Sequence, residues 1–503
     1  MISEVVIAMC TEMAENVRVE TRENTQESQN SRSSIENREL EEKSSGKKKV
    51  LERLKQIQKF IRDPIHDIVK VDNDLLLSVL DSEPMQRLRS IKQLGTAYLV
   101  YPGAEHSRFT HSLGVYHLAS SLMNQLELDG HKIDDYDKLV VKLAALLHDT
   151  GHGPFSHLFE AVLKEVDYKF VKKHDSWSKK LIMEHKSLAG LFDKYDEALT
   201  LKRDVTDVLS NSYKPLYLSS IVNAQFDVDR LDYMLRDSFM TGVNYGRFDL
   251  PWIFRNLSLK RVSEPDEDRR MVEVERITLD ARRGLSSLEE FLLGNLNLYE
   301  HVYYHKTVQA ANGIIISALI RAIDLMREGK DLGVSSKALS RIAKSEEMEI
   351  DDYLELTDGT VISWLTKWSL SEVDKILRDL SHRFLTRNLF KTIDLTDLSG
   401  KENACFKIRA EVEKKLNQDG WNSRYYCIGI DSDRIGYTPL SADEIYVTQK
   451  DGTTRRYSEI VFEKDGNEVS KAIVMRLKLR RSLLVLPEEY LKFANEVKKG
   501  WTT

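Results

Sequence analysis

Histidines crowd the stretch from His106 to His152, and one of them forms a His148-Asp149 pair directly after the apolar run KLAALL. A carboxylate buried at the end of such a run is costly unless a cation or strong hydrogen bonds offset its lost hydration. Imidazole beside carboxylate suits Mn, Fe, Zn or Ni. A capped helix end with a satisfied aspartate would give the same dipeptide, so the pair alone decides nothing. Two other strings add to it. THSLGV places His111 at a helix start, and QFDVDRLDYMLRD supplies Asp229 much later. Asp229, Tyr233 and Asp237 fall four apart, on one face of one helix. That face either offers a metal ligand, a phenol and a second carboxylate to one pocket, or is a polar outer stripe.

The elements that must carry these residues are mostly helical. KLVVKLAALLHDTGHG is apolar on nearly all sides and predicts a buried central helix ending at His148 and Asp149. HSLGVYHLASSLMNQLEL sets Leu118, Leu122 and Leu126 four apart, an apolar helical stripe. FIRDPIHDIVKVDNDLLLSVL reads as a Pro-bounded turn, a short strand and a helix. EPMQRLRSIKQLG reads as a second helix stopped by Gly95. Helical runs continue to about residue 330. After about residue 400 the pattern changes. KIRAEVEKKL is mixed, RYYCIGI and DEIYVTQKDGTTRRYSEIVFE are strand-like, and KDGTT is a hairpin turn candidate. From Asn467 the chain starts strand-like or irregular and closes on a helix around Glu488 to Lys499. The fold class expected is mainly α: an all-helical catalytic core with a smaller α+β C-terminal lobe.

The domains expected are a polar N-terminal arm (1–55), a helical catalytic domain (56–330) and a C-terminal α+β lobe (331–503) with a regulatory or oligomerisation role. The arm is nearly free of large apolar residues from about 20 to 50, which predicts a disordered or loosely helical segment, with order beginning near Ile57. Its Lys47 to Lys49 run is a solvated linker before it is a nucleic-acid or targeting patch.

The chain has 503 residues, 74 basic against 80 acidic, and a formal net charge of -6. That balance demands no polyanionic partner, and nucleic acid is not indicated, although a local basic pocket can bind a phosphate chain. Cys10, Cys405 and Cys427 lack metal-type spacing and suit a reducing compartment. The sequence has no apolar run of about 18 residues, and VVIAM is short and lacks a basic leader, so a cytoplasmic protein without a membrane span or secretory signal is expected.

The order His111, His148-Asp149, Asp229 resembles the H…HD…D signature of the HD phosphohydrolases, which implies that these four residues hold the metal. DPIHDIV, QRLRSIKQLGTAYLVYPGAEHSRFTHSLGVYHLA, LLHDTGHGPFSH and DVDRLDYMLRDS resemble more narrowly the deoxynucleoside-triphosphate triphosphohydrolase branch. That branch holds SAM-and-HD-domain dNTPases and bacterial dGTPase-like proteins. The similarity runs from about residue 56 to at least 320, with echoes towards 395, and no SAM domain is recognisable before it.

The resemblance implies a hydrolase that attacks the α-phosphate of a dNTP, of dGTP type, and releases deoxynucleoside and triphosphate. The metal would polarise the phosphate and acidify water, and Mg would accompany the nucleotide. Arg108 and Arg230 match phosphate-side basic positions. His152, His157 and His174 match active-site histidines, with His152 or His174 as proton donor to the leaving oxygen. Tyr233 and Asp237 match positions near the sugar, and Asp237 joins the two donors as a catalytic candidate. Gln93, Leu94 and Tyr303 match sugar-lining positions. Asn295 stands where the branch has an arginine for the phosphate tail, a loss that Lys306 could offset. Asp81, Gln86, Arg89, Arg261 and Arg282 match an effector-nucleotide site, although Arg62 replaces a common asparagine there. A homo-oligomer, dimer or tetramer, is implied, with a role in dNTP pool control or antiviral nucleotide depletion. An HD metal site alone would equally serve a nucleic-acid end, a cyclic nucleotide or a nucleoside monophosphate. A non-enzymatic nucleotide sensor is the third reading.

Overall fold

The computed structural model describes residues 45–196, 200–265, 268–398, 402–441, 443–463 and 468–502. Apolar periodicity builds the central helices. We label seven of the helices: α1 (Arg108–Leu128), α2 (Asp135–Leu147), α3 (His157–Glu165), α4 (His174–Glu184), α5 (Val228–Thr241), α6 (Ala281–Leu298) and α7 (Lys306–Arg327). Leu118, Leu122 and Leu126 are buried on α1, and the KLAALL run of α2 is buried except for Lys142, which pairs with Asp72 at 2.6 Å. Aspartates start the helices that position the site. Asp134, Asp227 and Asp280 accept from backbone N–H groups in the first turns of α2, α5 and α6. Each satisfies a donor that the helix start leaves open. Every named helix or strand between residues 108 and 237 is helical, and α1 packs against both α2 and α5.

Strands flank this helical core. β1 (Gln56–Asp63) and β2 (Asp67–Asn73) form a hairpin. A second sheet runs β3 (Leu257–Pro265), β4 (Met271–Asp280), β7 (Tyr446–Thr448) and β8 (Thr454–Arg456), with β4 and β7 parallel. A third joins β5 (Lys391–Asp394), β9 (Lys478–Leu486) and β6 (Ile428–Ile435), in that order. The second sheet ties the hairpin next to α6 to the C-terminal lobe.

The mainly α reading holds, with local differences. FIRD lies within β1 rather than in a turn. The QRLRSIKQLG helix stops early: Glu83–Arg87 is α-helical, Leu88–Ser90 is a tighter turn, and Ile91 is extended and fully buried. The hairpin β3–β4 interrupts the helices expected up to residue 330. KIRAEVEKKL lies within a regular helix, Glu402–Gln418, and RYY and YSEIV are helical turns beside strands. KDGTT does make the turn between β7 and β8, where Gly452 takes a φ of 86°. Asn467 lies outside the described residues; after it come a helix (Glu468–Arg476), β9 and the closing helix Leu491–Thr502.

Most of the expected N-terminal arm, with Cys10, lies outside the described residues. Residues 45–53 form a helix with Val50 buried, so order begins before Ile57. Lys47 is bound there, 3.4 Å from Asp137 and 4.8 Å from the Tyr136 ring centre. Among the described residues, α7 is long and apolar enough to cross a membrane by length and composition alone, although Arg321 and Asp324 interrupt its apolar run. Two thirds of its apolar window is buried within the fold, where it packs on the Lys375–Leu385 helix and α3.

Candidate active site and metal centre

α1, α2 and α5 bring His111, His148, Asp149 and Asp229 to one point. His111 Nε2 lies 2.9 Å from Asp229 Oδ1 and 3.8 Å from Asp149 Oδ2. His148 Nε2 lies 3.4 Å from Asp149 Oδ1 and 3.7 Å from Asp229 Oδ1. The donor set passes two tests for a divalent cation. His148 Nδ1 donates to the Ala145 carbonyl at 2.9 Å, which leaves Nε2 as a lone-pair donor, buried and, among the described residues, without a hydrogen bond. His111 Nδ1 donates to Asp232 at 2.8 Å, which likewise turns Nε2 to the cluster. Outer hydrogen bonds of this kind fix the tautomer of a metal-binding histidine. Burial opposes a proton on His111, but its hydrogen bonds to Asp229 and Asp232 outweigh burial and raise its pKa to about 10. The cluster therefore attracts positive charge. HD domains bind divalent metals, and this cluster could hold one.

Asp232 was not singled out in the sequence, and it anchors a buried network. It accepts from His66 at 2.6 Å and from Arg236 at 2.9 Å, and Arg236 also binds Asp63 at 2.8 Å. Gly114 makes room for it: a Cβ there would sit 1.8 Å from Asp232 Oδ1. The i+3 and i+4 spacing of Asp229, Asp232 and Arg236 was readable; their long-range partners His66 and Asp63 were not.

A cavity of about 1000 Å³ opens on this cluster. Gln93, Leu94, Arg108, His152, His157, His174, Arg230, Tyr233, Asp237 and Tyr303 all line it, with His111, Asp149 and Asp229. Arg108 is buried, bonded to Asp149 and to Ser156 Oγ at 2.8 Å. Burial alone would raise the Asp149 pKa, but the Arg108 charge leads the effects that hold it well below the usual carboxylate range.

His152 stacks on His174 at 3.9 Å, with His157 edge-on to both. Burial and the Arg108 charge keep His152 and His157 below the ordinary imidazole range, His157 at about 4. His174 differs. Burial opposes its proton, but hydrogen bonds to Asp175 at 3.0 Å and Glu160 at 2.9 Å lift it to about 9. Glu160 was missed in the sequence because it reads as an ordinary helix carboxylate. The turn that presents His157 is strained: Phe155 and Ser156 have φ of 52° and 60°. Asp358, accepting from Phe155 N at 2.6 Å, and Arg108 on Ser156 hold that turn in place.

On the far side, Asp237 binds His106 at 2.8 Å and the Tyr303 hydroxyl at 2.7 Å. Asn295 is buried outside the cavity lining and donates to the Tyr233 hydroxyl at 3.0 Å. Lys306 is exposed and also outside the lining. None of Asp81, Gln86, Arg89, Arg261 and Arg282 lines this cavity. Gln86 and Arg89 bond to each other at 2.8 Å, and Arg89 covers Phe109. Arg62 pairs with Asp67 at 2.5 Å on the first hairpin. Tyr299, Tyr304 and the β6 residues from Ile428 to Arg434 complete the cavity wall, and sequence order gave no sign of that contact.

The HD domain matches residues 108–237, the span from the start of α1 to Asp237. The uncharacterised protein YwfO of Bacillus subtilis is 31% identical over 380 residues, 76% of this chain and 81% of that protein. Human deoxynucleoside triphosphate triphosphohydrolase SAMHD1 is 29% identical over 406 residues; the alignment covers 73% of this chain and 60% of the human protein's length. A crystal structure of a phosphohydrolase from Bacteroides thetaiotaomicron is 28% identical, with a TM-score of 0.68, over 86% of this chain and all of that one. The chain belongs to the HD-domain phosphohydrolase family, in the group that includes the SAMHD1 proteins.

Proposed function

We propose that this protein hydrolyses deoxynucleoside triphosphates, of dGTP type, to deoxynucleoside and triphosphate. The observation that carries the reading is one cavity in which a His/Asp metal cluster, a charged histidine and two tyrosines face the same space. A volume of about 1000 Å³ accommodates a whole nucleotide. His111, His148, Asp149 and Asp229 would hold a divalent cation, which when bound supplies Lewis-acid polarisation of a phosphoryl oxygen.

The remaining work falls to the chain's own side chains. Arg108 and Arg230 orient the phosphates and offset charge that develops on them. Water attacks the α-phosphorus as its bond to the 5′-oxygen breaks. His174 carries the proton for that leaving oxygen, because it is the histidine of the stacked pair that is charged at neutral pH. Glu160 positions its ring. Tyr233 and Tyr303, fixed by Asn295 and Asp237, pack against the sugar. A nucleotide effector near Gln86 and Arg89 and assembly into a dimer or tetramer belong to the same proposal, on the strength of the family likeness.

The test is product analysis. Purified protein with Mn or Mg is incubated with each dNTP, GTP, cyclic nucleotides and short DNA, and products are resolved by ion exchange. Deoxynucleoside with intact triphosphate is the expected result. Orthophosphate or pyrophosphate alone would reject attack at the α-phosphorus. Asp149→Ala should abolish turnover.

A further inference from the structure

A triphosphate tail brings several negative charges into the cavity, and the residues first expected to meet them do not suffice. Asn295 is neutral and buried outside the lining, and Lys306 is exposed and also outside it. Arg108 already gives its Nε to Ser156 and its Nη1 to Asp149, which leaves part of its fork for the phosphates. Arg230 is freer: among the described residues its guanidinium has one acid contact, 3.9 Å to Asp227.

The opposite wall supplies another guanidinium. β6 alternates half-buried and exposed residues, so Ile428, Ile430, Ser432 and Arg434 share its more buried face, and the whole run from Ile428 to Arg434 borders the cavity. Arg434 lines the cavity, with its guanidinium carbon 4.2 Å from the centre of the Tyr299 ring. Among the described residues its side chain has no carboxylate partner and makes no hydrogen bond, and its Nε is buried. An unpaired buried N–H donor is costly, so such a group is kept for an acceptor that arrives. The neighbouring acids Asp431 and Asp433 also line the cavity, but among the described residues neither pairs with Arg434: both stand on the more exposed face of the strand, and Asp433 is 3.6 Å from Arg480. Arg230 and Arg434 line the same cavity as Tyr233, so two cations border one space from separate elements.

The position of Arg434 is fixed from behind. β9 pairs with β6, bringing Leu479 opposite Arg434. Arg481 of β9 donates to the Glu300 and Tyr304 carbonyls at 3.0 and 2.9 Å. These bonds clamp the C-terminal sheet to the wide helical turn Tyr299–Tyr303, which carries Tyr303 into the same cavity.

We propose that Arg434 grips the distal phosphates of the substrate, so that the C-terminal sheet completes the binding site. The assignment rests on the triphosphate reading above. Its fork geometry suits two phosphate oxygens at once, while its face stays on Tyr299.

Tripolyphosphate, with excess Mg present, is the probe, and binding to the metal-loaded full chain is measured by calorimetry. Arg434→Gln should weaken binding about tenfold, the loss of one charge-assisted contact. Arg434→Lys keeps a cation over Tyr299 but loses the fork, and should weaken it by about threefold. That variant also keeps the test open if Arg434→Gln does not fold, which metal content and thermal unfolding report. In dNTP turnover the Arg434→Gln loss should appear in KM more than in kcat. Affinity within twofold of wild type in the folded variants would overturn the proposal. A wild-type chain that turned over no dNTP, yet lost tripolyphosphate affinity on substitution, would refute the triphosphohydrolase reading while supporting Arg434 as an oligophosphate contact.

Discussion

His111 Nδ1 lies 2.8 Å from Asp232 Oδ2, and this contact decides which ring nitrogen meets the candidate metal position. Asp232 is fully buried and keeps its charge: burial opposes ionisation, but the Arg236 charge and hydrogen bonds from His111 and His66 hold its pKa well below the ordinary range. A carboxylate that binds no metal thereby governs how a neighbouring imidazole can bind one.

Asp232→Asn should lower metal affinity about 10- to 100-fold, the usual cost of losing an outer partner of a ligating histidine. The amide preserves shape but holds His111 less firmly in the required tautomer, and it leaves Arg236 with Asp63 as its remaining acid partner. A metal titration of purified variant against wild type reads this directly. Equal affinities would remove Asp232 from the metal site.

Gly114→Ala isolates the space that Asp232 needs. In an open helix this change should stabilise by about 1 kcal/mol. Here the new methyl would meet Asp232 Oδ1 and Arg236 Nη2, so a net loss of about 1–3 kcal/mol is expected from overpacking. Denaturant unfolding measures it, and a stabilised variant would show that the network relaxes freely.

The proton on His174 predicts a pH profile. Its pKa is raised to about 9, so the charged form persists through neutral pH and is lost as pH rises through that value. If His174 is the proton donor, kcat falls on that alkaline limb. Asp175→Asn removes one of the two hydrogen bonds that raise this pKa, so the limb should move to lower pH. A limb that stayed in place in this variant would point to a different donor.

The HD core was legible because its signals are local. Apolar runs marked α1 and α2, and the four-residue spacing of Asp229, Tyr233 and Asp237 correctly put them on one helix whose face lines the cavity. What stayed hidden depends on distant pairing. His66 and Asp63 reach Arg236 and Asp232 across more than 160 positions, and no window of sequence shows that. β6 could be read as a strand from RYYCIGI, yet nothing in its alternation says which cavity the strand would border. Asn295 shows the limit in a known position: its type was readable, but not that it sits behind Tyr233 and bonds to its hydroxyl.

Tyr303→Phe tests the sugar side without touching the metal cluster. The Tyr303 hydroxyl donates to Asp237 Oδ2 at 2.7 Å, and His106 takes the other oxygen. Phenylalanine keeps the ring and leaves one oxygen of a buried carboxylate unpaired, a cost of about 1–3 kcal/mol. Part of that cost should appear as lost stability. The rest should appear as a higher KM, because Asp237 and the ring no longer hold one geometry at the cavity wall. Metal content should not change, since neither residue approaches His111, His148, Asp149 or Asp229 by hydrogen bond. A variant with wild-type KM and reduced metal content would place Tyr303 with the metal centre instead of the substrate.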